Sequence, residues 1–293
     1  ILATLGGNIF LSIIAVLISI IACKTGLTFA LLTRYSFGST GSKAASIFVP
    51  VVNLGWYTIQ AATYGHFVAQ VFHMGQVGEG ICMAVSAIVM GIFAMCGIGA
   101  ITILGYIAIP AIVFLSIATA IRSLGVIGGM EALFAYVPSS DMPLFTGITA
   151  VIGTWVLSTA TCIADIMRYA KDTKAAVSAT LTGLLGGNIL MIVCGAIAAI
   201  AMQNSDLTVI LLGFGLVIPS LILMTTNIFT TNAANLYSTS LNLSNAFKME
   251  RKKMLAILLV LSALATLTKP YEIGFLFTFL NILGTVVPPL SGI

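Results

Sequence analysis

Apolar stretches of about 20 residues follow one another along nearly the whole chain, each long enough to cross the hydrocarbon core of a bilayer. That repetition fixes the solvent before anything else. Of the 293 residues, 7% are charged and 59% hydrophobic, and so little charge does not clothe a water-facing surface of this size. The expected fold class is an all-α polytopic membrane protein, with the lipid bilayer as its surroundings.

Charged or turn-rich positions separate about nine spans, at 1–23, 45–72, 80–98, 100–121, 144–168, 175–203, 207–245, 254–268 and 271–292. The seventh would extend about 58 Å as one helix against a core of about 30 Å, so it must break or run out into the cytosol. Basic residues give the orientation. Lys24, Arg34 and Lys43 follow the first span, Arg168, Lys171 and Lys174 the fifth, and Lys248, Arg251, Lys252 and Lys253 the seventh. The loops between carry Glu79, then Arg122 with Glu131 and Asp141, then Asp206. Basic loops are thus expected on the cytoplasmic side of the cytoplasmic membrane and Ile1 on the outside, where 129–136 reads as a short surface helix.

The chain begins and ends inside apolar sequence, as expected of a fragment cut at both ends. It also repeats itself. Leu5-Gly6-Gly7-Asn8-Ile9 recurs as Leu185-Gly186-Gly187-Asn188-Ile189, the first copy in a span running inward and the second in one running outward. Opposite topology is what an inverted-repeat transporter requires. The expected unit is five spans plus five in a single transporter domain over 1–293, with 1–143 the rest of the first repeat and 144–293 the second.

Polar residues inside apolar spans carry the functional reading, because an amide in hydrocarbon is costly unless paired. Trp56 and Trp155 are the two tryptophans, and both fall near mid-span rather than at the interfacial belts. Asn53 and Gln60 share a helical face with Trp56. Asn and Gln each offer donors and acceptors, which suits a flat ring with amide or amidine edges; a plain helix–helix hydrogen bond is the other reading. The stretch from Gly153 through Trp155 and Ser158 to Thr161 resembles the break of a discontinuous helix. In the seventh span, Thr225, Thr226, Asn227, Thr230, Thr231, Asn232 and Asn235 form the densest polar run. Threonine hydroxyls beside the carbonyls of an unwound helix suit a small hard cation, although threonines also bond back to the preceding turn. Asp165 and Arg168 read as an ion pair at a helix end.

Other chemistries find little footing. The net charge of +4 sits in short loops, so no nucleic-acid partner is expected. The five cysteines are scattered and the two histidines isolated, which gives neither a disulfide framework nor a metal centre. A membrane enzyme needs clustered acidic, histidine or cysteine residues within the spans, and Asp165 alone approaches that. A channel would show continuous pore-lining polarity, which is not evident. No cofactor and no protein partner is expected.

Several segments together resemble one family. They are Cys23-Lys24-Thr25-Gly26-Leu27-Thr28 followed by Arg34-Tyr35-Ser36-Phe37-Gly38, Asn53-Leu54-Gly55-Trp56, and Gly105-Tyr106-Ile107-Ala108-Ile109-Pro110, then Asp165-Ile166-Met167-Arg168-Tyr169, Asn227-Ile228-Phe229-Thr230-Thr231-Asn232 and Pro288-Pro289. In order and spacing the chain is similar to bacterial cytosine permeases of the nucleobase–cation symporter-1 family. The resemblance implies a leucine-transporter-like five-plus-five inverted repeat, here lacking the first helix and the last two. It implies that Trp56 and the aromatic position of the sixth helix, filled here by Trp155 or Val156, sandwich a nucleobase. It also implies that Asn227 bonds the ring and that Thr230 and Thr231 help hold sodium. The expected substrate-binding set is therefore Asn53, Trp56, Gln60, Trp155, Ser158 and Asn227. Cytosine permeases usually carry glutamine where this chain has Asn53, and hydantoin-type relatives carry a glutamine where it has Gln60. The expected activity is import of a cytosine- or purine-like base with a cation, with sodium favoured over protons. A related heterocycle such as hydantoin, allantoin or hydroxymethylpyrimidine, or an amino acid on the same fold, are the alternative substrates.

Overall fold

The computed structural model of the chain describes residues 2–137, 143–204, 206–272, 274–275 and 278–279, and of residues 150 and 153–161 it describes the backbone alone. The described chain is helical throughout. Helix α1, Leu2–Thr25, is uncharged until Lys24 in its last turn, where a cation meets the unpaired carbonyl ends. It stops before Gly26, whose φ of 69° is a left-handed conformation that favours glycine.

Helix α2, Phe29–Val71, is too long for one span and is interrupted at Gly38 (φ 65°). The segment 24–44, expected as a loop, is thus largely helical, with a first arm over 29–37 and a membrane arm over 39–71. Helices α3, Gln76–Cys96, and α4, Ile98–Ile127, meet at Gly97, where φ is 84°. A short α5, Met130–Phe134, occupies the expected surface-helix position and leads to α6, Leu144–Met167. The break expected over 153–161 does not form, because α6 is continuous there. Irregularity appears instead in the next passage: α7, Thr173–Leu181, opens on Asp172, which accepts from the Ala175 N–H. It then widens into a π-helical stretch at Thr182–Asn188 and continues as α8, Ile189–Met202.

The seventh span does break. Helix α9, Leu207–Gly213, is capped by Asp206, and Gly215 (φ 74°) turns the chain into α10, Val217–Phe247. Helix α11, Arg251–Thr266, follows. The expected ninth span, 271–292, lies for the most part outside the described residues. Among the described residues, Leu2–Thr25, Gln76–Cys96, Ile98–Ile127 and Thr173–Met202 are helices long and apolar enough to cross a membrane by length and composition.

Small residues set the closest approaches. A Cβ on Gly7 would lie 2.7 Å from Val151 of α6, and one on Gly65 would lie 2.3 Å from the Met83 backbone of α3. The two copies of the repeated segment also meet, since Asn188 Nδ2 donates to Asn8 Oδ1 at 2.6 Å and Asn8 is fully buried. Helices α2, α3, α10 and α11 share one apolar core that includes Tyr57, Met90, Leu236 and Leu255.

Replacing Gly65 by alanine should force α2 and α3 apart, because the obstacle is backbone rather than a flexible side chain. A loss of about 1–3 kcal/mol is expected for such overpacking, read as a lower unfolding midpoint in detergent. An unchanged midpoint would contradict the packing described.

Candidate functional site

Helices α2 and α10 run antiparallel, and their polar residues face each other level by level. Tyr64 and Thr225 hydroxyls are 2.9 Å apart, and Asn232 Nδ2 donates to the Tyr57 carbonyl at 3.1 Å. The Thr239 hydroxyl donates to the Pro50 carbonyl at 3.4 Å. Between these levels, α6 inserts Cys162, whose Sγ accepts from Asn53 Nδ2 and donates to Asn235 Oδ1, each at 3.7 Å. Asn53, buried at 1% exposure, thus joins three helices at one depth.

One turn along α2, Trp56 is half-buried and packs against the cluster formed by Leu11, Val49 and Val52. Its indole meets Phe279 edge to face, with centroids 5.5 Å apart and planes at 82°. A T-shaped contact occupies at most one face of the indole. Phe279 was not legible as a site residue; it lies in the last apolar run, beside two further phenylalanines, Phe275 and Phe277, that the sequence does not tell from it.

A further turn on, Gln60 presents a buried Oε1 with no hydrogen-bond partner among the described residues. An unpaired buried amide oxygen costs about 1–3 kcal/mol. Asn53, Trp56 and Gln60 therefore share one face, as their spacing predicts.

The side chains of Trp155 and Ser158 lie outside the described residues. Thr230 and Thr231, both half-buried, lie near the depth of Trp56. Their hydroxyls bond back along an unbroken helix, Thr230 to the Thr226 and Asn227 carbonyls at 2.8 and 3.0 Å and Thr231 to the Asn227 carbonyl at 3.0 Å. The unwound helix expected around them is absent. A hydroxyl that donates backward still keeps its lone pairs, so each can offer an oxygen to a cation.

Asn227 is placed differently from Asn53. It is exposed and lines a cavity of about 360 Å³ with Met191, Asp206, Thr208 and Leu223, on the side of α8 and α9. The α10 amide brought to the level of Asn53 is Asn235, about 12 Å further along the helix.

Asp165 also departs from its expected role as an ion-pair partner. Its carboxylate is fully buried and accepts from the Phe29 N–H at 3.0 Å, from Asn242 Nδ2 at 2.8 Å and from the Ser238 hydroxyl. Arg168 instead donates to the Asp165 backbone carbonyl at 3.3 Å and lies over the Tyr169 ring.

Comparison with known proteins gives the family and fold of the chain. The family described as permeases for cytosine/purines, uracil, thiamine and allantoin matches residues 1–293. The chain is 30% identical over 292 residues to the cytosine permease of Escherichia coli strain K12, covering all of this chain and 68% of that protein. The same figures hold for the cytosine permease of Escherichia coli O157:H7. Among solved structures, Mhp1, a nucleobase-cation-symport-1 family transporter in a closed conformation with bromovinylhydantoin bound, superposes with a TM-score of 0.82 at 19% identity, covering 99% of this chain and 68% of that one. Its inward-facing conformation matches at 0.76. The fold is therefore the expected leucine-transporter-like one.

Gln60→Leu removes an unpartnered amide without disturbing a protein hydrogen bond. It should leave the unfolding midpoint unchanged or raised while weakening ligand binding at least about tenfold. A lowered midpoint with unchanged binding of a base would make Gln60 a structural residue.

Proposed function

Because this chain belongs to the family of permeases for cytosine/purines, uracil, thiamine and allantoin, we propose that it is a symporter that carries a nucleobase across the cytoplasmic membrane with sodium. The observation that carries the reading is the α2 face on which Asn53, a half-buried Trp56 and an unpartnered Gln60 oxygen stand one turn apart. A base is a flat ring with alternating donors and acceptors at its edge. Stacking on Trp56 holds the plane, and the two amides read the edge. The site's neutrality suits an uncharged base better than an amino acid, whose two charges would need charged or dipolar partners.

In this reading the loops bearing Arg168, Lys171, Lys174 and Lys248 face the cytoplasm, and the chain divides between its two repeats in the loop before α6. Asn227 would take part only if the substrate or an added helix reaches its cavity; Asn235 is the better placed amide. Trp155 and Ser158 remain assigned to the substrate path on the resemblance alone.

Sodium is favoured for the coupling ion because Thr230 and Thr231 offer neutral oxygens beside the depth of Trp56. Neutral ligands hold a monovalent cation better than a divalent one. Further oxygens would have to come from elsewhere in the protein. Shared location implies that base and ion each raise the other's affinity by the same factor.

Trp56→Ala should lower base affinity about tenfold to a hundredfold, the worth of one stacked base, in a binding assay with cytosine, uracil, adenine, hypoxanthine and hydantoin as competitors. Undiminished affinity for every competitor removes Trp56 from the site. Base binding should rise along a sodium series at fixed ionic strength and lose that dependence in Thr231→Val. Binding that follows pH and ignores sodium assigns the coupling to protons.

A further inference from the structure

The first arm of α2 is held at its start by side chains from two other helices. The residue at its N-cap, Thr28, makes no capping bond with its own side chain. Instead the Phe29 N–H donates to Asp165 of α6 and the Ala30 N–H to Asn242 Oδ1 of α10, at 3.0 and 2.9 Å. Asn242 completes the node by donating to Asp165, which the Ser238 hydroxyl also reaches. The orphan N–H groups that every helix start carries are thus satisfied by groups that would be lost together if the arm moved away.

We propose that Asp165, Ser238 and Asn242 form a detachable lock that holds the arm 29–37 across the cytoplasmic end of the substrate path and lets it go when that end opens. This rests on the transport reading in one respect, that the path must open there to release its cargo.

Three features point to a lock rather than a permanent joint. The arm is linked to the membrane portion of α2 through Gly38, where φ is 65° and an added Cβ would meet nothing within 4 Å, so the connection has room to turn. The exchange on opening is close to balanced: the carboxylate and the two N–H groups trade protein partners for water, and a buried charge recovers its hydration. Third, the node lies one turn of α6 below Cys162, which bridges Asn53 and Asn235 at the depth of the candidate site. Detaching the arm would therefore uncover the path directly beneath that level. Arg168 forms no salt bridge with the carboxylate; its guanidinium is turned to Tyr169, and Tyr169 in turn reaches the Tyr237 hydroxyl at 3.2 Å. The node is held by donors that can all be released to water, with no ion pair to break.

Cys162 gives a native reporter, because it is a buried thiol that opening of this end would expose. In the full-length protein with Cys23, Cys82, Cys96 and Cys194 each replaced by serine, the rate of alkylation of Cys162 by N-ethylmaleimide should rise about tenfold on Asp165→Asn, which puts an N–H₂ group among the donors. It should rise similarly on Asn242→Ala, which serves as the milder variant if the first folds poorly. A second version that keeps only Cys194, buried in α8, should label within about twofold of its parent in both variants. An unchanged Cys162 rate, or equal rises at Cys162 and Cys194 that mark general loosening, would overturn the lock. No base enters this measurement, so a failed lock and a failed nucleobase reading are seen separately.

Discussion

The seam between α2 and α10 is the constraint on which the rest of the described structure hangs. A helix that places Asn232, Asn235, Thr239 and Asn242 along one side, three and four residues apart, cannot leave that side in lipid, where unsatisfied amides are costly. All four are buried, and each finds its partner in backbone of α2 or in side chains of α6. Apolar packing alone would not fix the depth at which two helices meet in a bilayer, since lipid is as apolar as leucine. The amides do. By setting the register of α2 against α10 they also set the depth of Asn53, Trp56 and Gln60, and they pin the start of the first arm.

A transporter of a neutral ring needs a place to stack, a way to read an edge, and two ends that open in turn. In the proposed reading Trp56 and the amides of α2 supply the first two, and Cys162 ties Asn53 to α6 and α10. The same helices carry the node at Asp165, so the site and the contacts that close one end are built from three shared elements. Movement of α6 or α10 relative to α2 would change both together.

Much of this was legible in the sequence, and the reasons are specific. Hydropathy located Leu2–Thr25, Gln76–Cys96, Ile98–Ile127 and Thr173–Met202 because lipid exposure demands long apolar runs. The copies of Leu-Gly-Gly-Asn-Ile read as a repeat, and Asn8 and Asn188 prove to be hydrogen-bonded to each other. The shared face of Asn53, Trp56 and Gln60 followed from helical period alone. What sequence missed depended on partners far away along the chain. Arg168, three residues from Asp165, looked like its mate, yet the true donors belong to Phe29, Ser238 and Asn242. Asn227 and Asn235 carry the same side chain, and only the depth and rotation of α10 against α2 decide which is brought to Asn53. The glycine and hydroxyl cluster at 153–161 suggested a helix break, but continuous backbone bonding won there, and the widened turn formed at Thr182–Asn188.

Whether this protein moves a base with sodium is read most simply from uptake into proteoliposomes containing the full-length protein. Labelled cytosine, uracil, adenine, hypoxanthine and hydantoin would each be offered with and without an inward sodium gradient at fixed ionic strength and pH. Saturable uptake of at least one of these rings is expected, accelerated by the gradient and suppressed by excess of the same unlabelled ring. Uptake of none of them above protein-free vesicles would contradict the proposed function.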